Sequence, residues 1–105
     1  MLMYYFLTVD GDIVFCSQER GEAEARRDAE QERLIRQECA ARDLRYPEDA
    51  ERAMQSVDVT CHIVAVSEKE LKQCEEGVTV YLSDIDGSWE ENFSCEELLT
   101  WIPSN

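Results

Sequence analysis

The chain has 105 residues, the usual size of one domain, and 44% of them are hydrophobic, which excludes a disordered acidic tail and predicts a folded core. Twenty-four acidic residues against ten basic ones leave a net charge of −14. That balance disfavours direct binding to nucleic acid or to an anionic membrane surface and favours a cationic partner.

The N-terminal stretch predicts a β-hairpin: Met3 to Val9 and Asp12 to Ser17 flank Asp10-Gly11, a pair that supplies the positive φ angles of a two-residue type I′ turn. That turn sets Phe6 opposite Phe15 and Leu7 opposite Val14. The run Met1 to Val9 is too short to span a bilayer, ends at Asp10 and has no leader cleavage pattern.

From Glu22 to about Leu44 the chain is rich in Ala, Glu and Arg without Gly or Pro, and predicts one long charged helix. Glu22 with Arg26, Glu32 with Arg36 and Glu38 with Arg42 are spaced for i,i+4 pairing. Its first half offers only alanines as an apolar side, so Leu34, Ile35 and Cys39 are the expected points of contact with the sheet. Pro47 suits the first turn of a second helix, in which Ala50, Ala53, Met54 and Val57 form an apolar stripe.

Val57 to Val66 alternates as a strand with one buried side, Cys61 and Ile63 facing in and His62 facing solvent. Ser67 with Glu70 is a capping box that opens a short helix through Glu76, ended by Gly77. Val78 to Leu82 is a further strand. Asp86-Gly87 turns it toward a short partner around Trp89 to Phe93, and Ser94 with Glu97 caps a last helix that Pro103 stops. The expected fold is α+β in one domain, residues 1–105. An antiparallel sheet of four or five strands, including the N-terminal hairpin, packs against the long helix and about three short ones.

Residues Val78 to Ser88 form an apolar strand followed by Asp84-Ile85-Asp86-Gly87-Ser88. This stretch resembles the first motif of haloacid-dehalogenase-type phosphatases, which implies Asp84 as nucleophile and Asp86 as acid or base beside magnesium. That family needs a Lys and further acids downstream, whereas only 17 residues follow Ser88 and none is basic. An acidic hairpin turn is the plainer expectation. A calcium loop fails as well, since Leu82 and Phe93 would fall at two ligand positions.

The five cysteines, Cys16, Cys39, Cys61, Cys74 and Cys95, are odd in number and contain no CxxC pair. They predict reduced thiols in a cytoplasmic protein, with no structural zinc. Thiol catalysis would need His62, the sole histidine; the adjacent Cys61 points to the opposite side of a strand, which leaves Cys16 or Cys74 to approach it through the fold. No catalytic residue, metal or cofactor is expected.

The charge is regional. Residues 1–19 carry three acids and no base, residues 20–56 ten acids and eight bases, and residues 57–105 eleven acids and two bases. Glu75, Glu76, Asp84, Asp86, Glu90, Glu91, Glu96 and Glu97 run without an intervening Lys or Arg, with Trp89 among them. Same-face carboxylates on a strand recur about every 6.6 to 6.8 Å, close to two base-pair rises of a duplex. These nine residues are therefore the expected contact surface, with an aromatic anchor, for a basic and nucleic-acid-binding protein.

In size, charge and lack of a catalytic motif the chain looks like the small acidic inhibitors that phages encode, of the anti-CRISPR and DNA-mimic type. The resemblance implies a non-catalytic inhibitor acting in the host cytoplasm, with a CRISPR effector as one example of its target. An immunity protein or antitoxin against a basic nuclease is the alternative within the binding class. A small enzyme using Asp84 and Asp86 or a thiol is the alternative outside it. The oligomeric state is open.

Overall fold

In the computed structural model, which describes residues 2–57, 60–75, 77–87 and 89–102, the N-terminal hairpin closes as its turn residues dictate. Asp10 and Gly11 take φ angles of 53° and 85°, and Val9 of strand β1 (Met3–Val9) faces Asp12 of strand β2 (Asp12–Ser17). The register beyond the turn differs from the expected one. A bulge shifts it between Leu7 and Thr8, so Thr8 pairs with Ile13, Leu7 with Phe15 and Phe6 with Cys16. Val14 is the extra residue and is exposed. The bulge has a packing consequence, because it turns Ile13 to one face of the sheet and Phe15 to the other, where an unbroken strand would put both on the same face.

Strand β3 (Cys61–Ser67) lies antiparallel to β1 along its whole length, from Met3 opposite Ser67 to Val9 opposite Cys61, and makes β1 the central strand of a β2-β1-β3 sheet. Both faces of β3 are covered. Only Ala65 escapes burial, and His62, expected at the surface, is 6% exposed. On one face Phe6, Ile13, Val64 and Val66 join Leu71, Leu82, Phe93 and Leu98 in the main core. On the other, Leu7 and Ile63 pack against Ala23 of helix α1 (Arg20–Ala41).

The long helix docks at a different place from the expected one. Ala23, fully buried, brings its first half onto the sheet, since a methyl side chain lets the helix backbone approach closely. Ile35 and Cys39 instead pack on Ala53 and Val57 of α2 (Ala50–Val57) in a second, separate apolar cluster. Twenty-two residues at about 1.5 Å each reach well past a seven-residue strand. Glu32 with Arg36 (2.9 Å) and Glu38 with Arg42 (3.9 Å) pair as expected. Glu22 instead accepts from the Ser17 hydroxyl, while Arg26 lies over the Phe15 ring. Pro47 precedes α2 in a turn rather than starting it.

Ser67 and Glu70 form the expected reciprocal cap on α3 (Glu68–Lys72), which ends before Glu76. Strands β4 (Thr79–Ser83) and β5 (Glu90–Ser94) pair antiparallel as a separate two-stranded sheet. Among the described residues the strands therefore number five but form two sheets, linked by a bridge between Val64 and Asp84. Ser94 accepts from the Glu97 N–H to open α4 (Cys95–Thr100). The expected stop at Pro103 lies outside the described residues.

Cys74 and Cys95 close a disulfide, which overturns the expectation of five reduced thiols; Cys16, Cys39 and Cys61 remain free. The spacing of 21 residues carried no signal because the pairing is made by α3 and α4 meeting on the main core. Among the described residues no helix is long and apolar enough to cross a membrane.

Candidate protein-binding surface

The segment from Cys74 to Ile102 carries eight acids and no base, more than half of the net charge of −14, and a buried polar lock fixes it to the main sheet. At the end of β4 the Asp84 carboxylate accepts from His62 Nδ1 (2.8 Å) and from the backbone N–H of Ile63 (3.3 Å) on one oxygen, and from the N–H of Asp86 (3.0 Å) on the other. Trp89 closes over the histidine, its ring parallel to the imidazole at 4.2 Å, and meets Phe93 edge-on at 6.1 Å. Backbone bonds from Asp84 N to Trp89 O (2.7 Å) and from Ile85 N to Ile63 O (2.9 Å) complete the junction. A carboxylate this buried, at 7% exposure, is stable only when its oxygens are satisfied, and these three donors do so.

Asp84 is therefore not a surface acid. It leaves the expected contact surface, and in that setting it is also poorly placed as a nucleophile. Trp89 is half-buried on His62 rather than projecting as an anchor. Glu76 lies outside the described residues. The structure exposes Glu75, Asp86, Glu90, Glu91 and Glu96, and leaves Glu97 half-exposed in the first turn of α4.

Glu90 and Glu91 do not form a same-face row. Glu90 pairs with Ser83 on the outer face of the β4–β5 ribbon and accepts from the Tyr81 and Ser83 hydroxyls (2.8 and 3.2 Å). Its neighbour Glu91 pairs with the buried Leu82 and so projects from the inner side at the free edge. Glu96 reaches across to the backbone N–H of Gly77 at 3.2 Å. The exposed carboxylates thus come from a loop, a ribbon and a helix start, not from successive positions of one strand.

No Lys or Arg follows Lys72 in the chain. Among the described residues Glu75, Glu90, Glu91, Glu96 and Glu97 enter no ion pair, whereas Glu24, Glu30, Glu32 and Glu38 of α1 sit beside arginines at 2.6 to 3.9 Å.

Two features of this surface escaped the sequence reasoning. Tyr81 is 62% exposed, the most exposed of the large hydrophobic residues described, and its phenol is pushed above its usual range by the hydrogen bond to Glu90 and by that charge. Its signal was present in the alternation of Thr79, Tyr81 and Ser83 against Val80 and Leu82. The pairing of His62 with Asp84 had no local signal, because 22 residues separate them. No known protein family, curated protein sequence or solved structure matches the chain.

Proposed function

We propose that this protein is a non-catalytic inhibitor that binds a basic, nucleic-acid-binding protein through the acidic surface of its C-terminal segment. The observation that carries it is the set of five carboxylates, Glu75, Glu90, Glu91, Glu96 and Glu97, without a cationic partner among the described residues. Uncompensated like charges on one unit repel each other and are relieved when a cationic surface covers them. Asp86 at the turn adds to that field, and exposed Tyr81, Val78 and Leu99 supply apolar contact area beside it.

A target that holds nucleic acid in a basic channel, such as a CRISPR effector, offers the complementary potential. Mimicry of a duplex would then work through carboxylates gathered from three elements rather than along a strand. Action of this kind belongs in the cytoplasm, the host's if the gene is a phage's. There the Cys74–Cys95 disulfide meets reducing conditions, so binding is to be measured with the bond both closed and open. A catalytic role finds no support in the geometry: Asp84 is enclosed by its three donors, and burial raises the Cys16 and Cys61 thiols above their ordinary range.

The experiment is a pull-down from the native host at about 50 mM salt followed by salt elution. An electrostatic complex releases a basic protein steeply between about 50 and 200 mM. Retention of the partner unchanged across that range would sink the proposal.

A further inference from the structure

A pocket of about 340 Å³ opens away from the acidic segment's lock, between the start of α1 and the residue that follows α4. Its walls are Tyr4, Ser17, Gln18, Glu19, Glu22 and Trp101, with the half-buried Cys16 beneath. Among the described residues neither a lysine nor an arginine lines it. Glu19 has no hydrogen-bonded or charged side-chain partner among the described residues. Glu22 accepts the Ser17 hydroxyl on Oε2 and keeps Oε1 open. The nearest helical arginine, Arg20, is engaged by Glu24 at 2.6 Å. The Gln18 amide is turned to the Tyr4 hydroxyl at 3.2 Å, and burial holds the Cys16 thiol neutral by pushing it up to about 11.

Two carboxylates and two aromatic rings around an open cavity match one ligand chemistry. A cation is drawn to the faces of Trp and Tyr and to the acids together. A planar guanidinium fits better than an ammonium, since it stacks flat on an indole while its donors fork to carboxylates. Trp101 is 39% exposed, so part of its ring remains open to contact.

We propose that this pocket receives an arginine side chain of the basic partner, anchored between Trp101 and the carboxylates of Glu19 and Glu22. The inference rests on the partner being basic, as proposed above, and adds a second point of contact outside the acidic C-terminal surface. The aromatic anchor is then Trp101, which is 39% exposed, and not Trp89, which is half-buried on His62.

The test uses the full chain and N-acetyl-arginine methylamide as probe, followed by NMR. Saturable shifts are expected at the Trp101 indole N–H and the Gln18 side-chain amide. Affinity should drop by about tenfold or more in Glu19→Gln/Glu22→Gln, the loss of roughly one charge-assisted contact. It should drop likewise in Trp101→Leu, with circular dichroism unchanged in both variants. The uncharged citrulline analogue should give no saturable shift. Equal shifts with citrulline, or shifts unaffected by both variants, would overturn the proposal, and equal binding of the lysine analogue would overturn its guanidinium form. Arginine binding here alongside a pull-down that yields no basic protein would leave the pocket standing and remove the proposed function.

Discussion

Replacing Asp84 by Asn is the sharpest perturbation of the junction that holds the C-terminal segment on the sheet. The aspartate accepts three N–H groups on two oxygens at 7% exposure. An asparagine has one accepting oxygen, and its amide N–H₂ must face at least one of the same donors. Hydrogen bonds to a charged group contribute about 1.5 to 3 kcal/mol each, and a donor left facing a donor adds its own desolvation. The substitution should therefore destabilise the protein by about 2 to 4 kcal/mol, against a total of about 5 to 15 kcal/mol for a domain. With a urea slope of about 1.5 kcal/mol/M, the unfolding midpoint falls by about 1.3 to 2.7 M. Amide exchange at Leu82 and Phe93 should accelerate first, because β4 joins the main sheet at Asp84 and the Ile85 N–H beside it. Glu91→Gln, an exposed control of identical chemistry, should move stability by less than about 0.5 kcal/mol. If Asp84→Asn proves as neutral as Glu91→Gln, the lock does not hold the segment.

Cys74→Ser with Cys95→Ser opens the loop of 21 residues and should lower stability by about 3 kcal/mol, read as the shift in urea midpoint relative to the oxidised wild type. Burial raises the Cys16 thiol from an ordinary 9.0 to about 11. It should therefore resist Ellman's reagent at pH 8 in the native state and react on unfolding. The unfolded thiol ionises at the lower pH, so this group's contribution to stability is complete below about pH 9 and is lost as pH rises toward 11. Ala23→Leu inserts three carbons where α1 meets Leu7 and Ile63 and should cost about 1 to 3 kcal/mol in denaturant titration, while Leu34→Ala should cost less. The reverse order would restore Leu34 as the docking point.

Local chemistry made much of the fold legible. Asp10-Gly11 fixed a turn and Ser67 with Glu70 fixed a helix start, while of the expected stripe Ala50, Ala53, Met54 and Val57 all but Met54, which is exposed, face the apolar cluster of the second helix. The bulge at Val14 was not legible because Ile13, Val14 and Phe15 are all apolar, so alternation could not say which faces inward. Alanines concealed the docking face of α1, since Ala23 contributes closeness rather than hydrophobic bulk. His62 read as a surface residue because its neighbours Cys61 and Ile63 already supplied one buried side, and the cover on the other side comes from Trp89, 27 positions on. For the candidate surface, the charge count was legible to the residue. Its geometry was not, because which acid is buried depends on the long-range partner of Asp84, and which acids share a face depends on where β5 begins.

The place of contact is tested most directly by comparing two variants with the same change in net charge. One carries Glu75, Glu90, Glu91 and Glu96 as Gln; the other carries Glu24, Glu30, Glu32 and Glu38 of α1 as Gln. Binding of each to the basic partner is measured across about 50 to 200 mM salt. The account predicts that the C-terminal variant loses most of its affinity and of its salt dependence while the helix variant retains both. Equal losses in the two would contradict it.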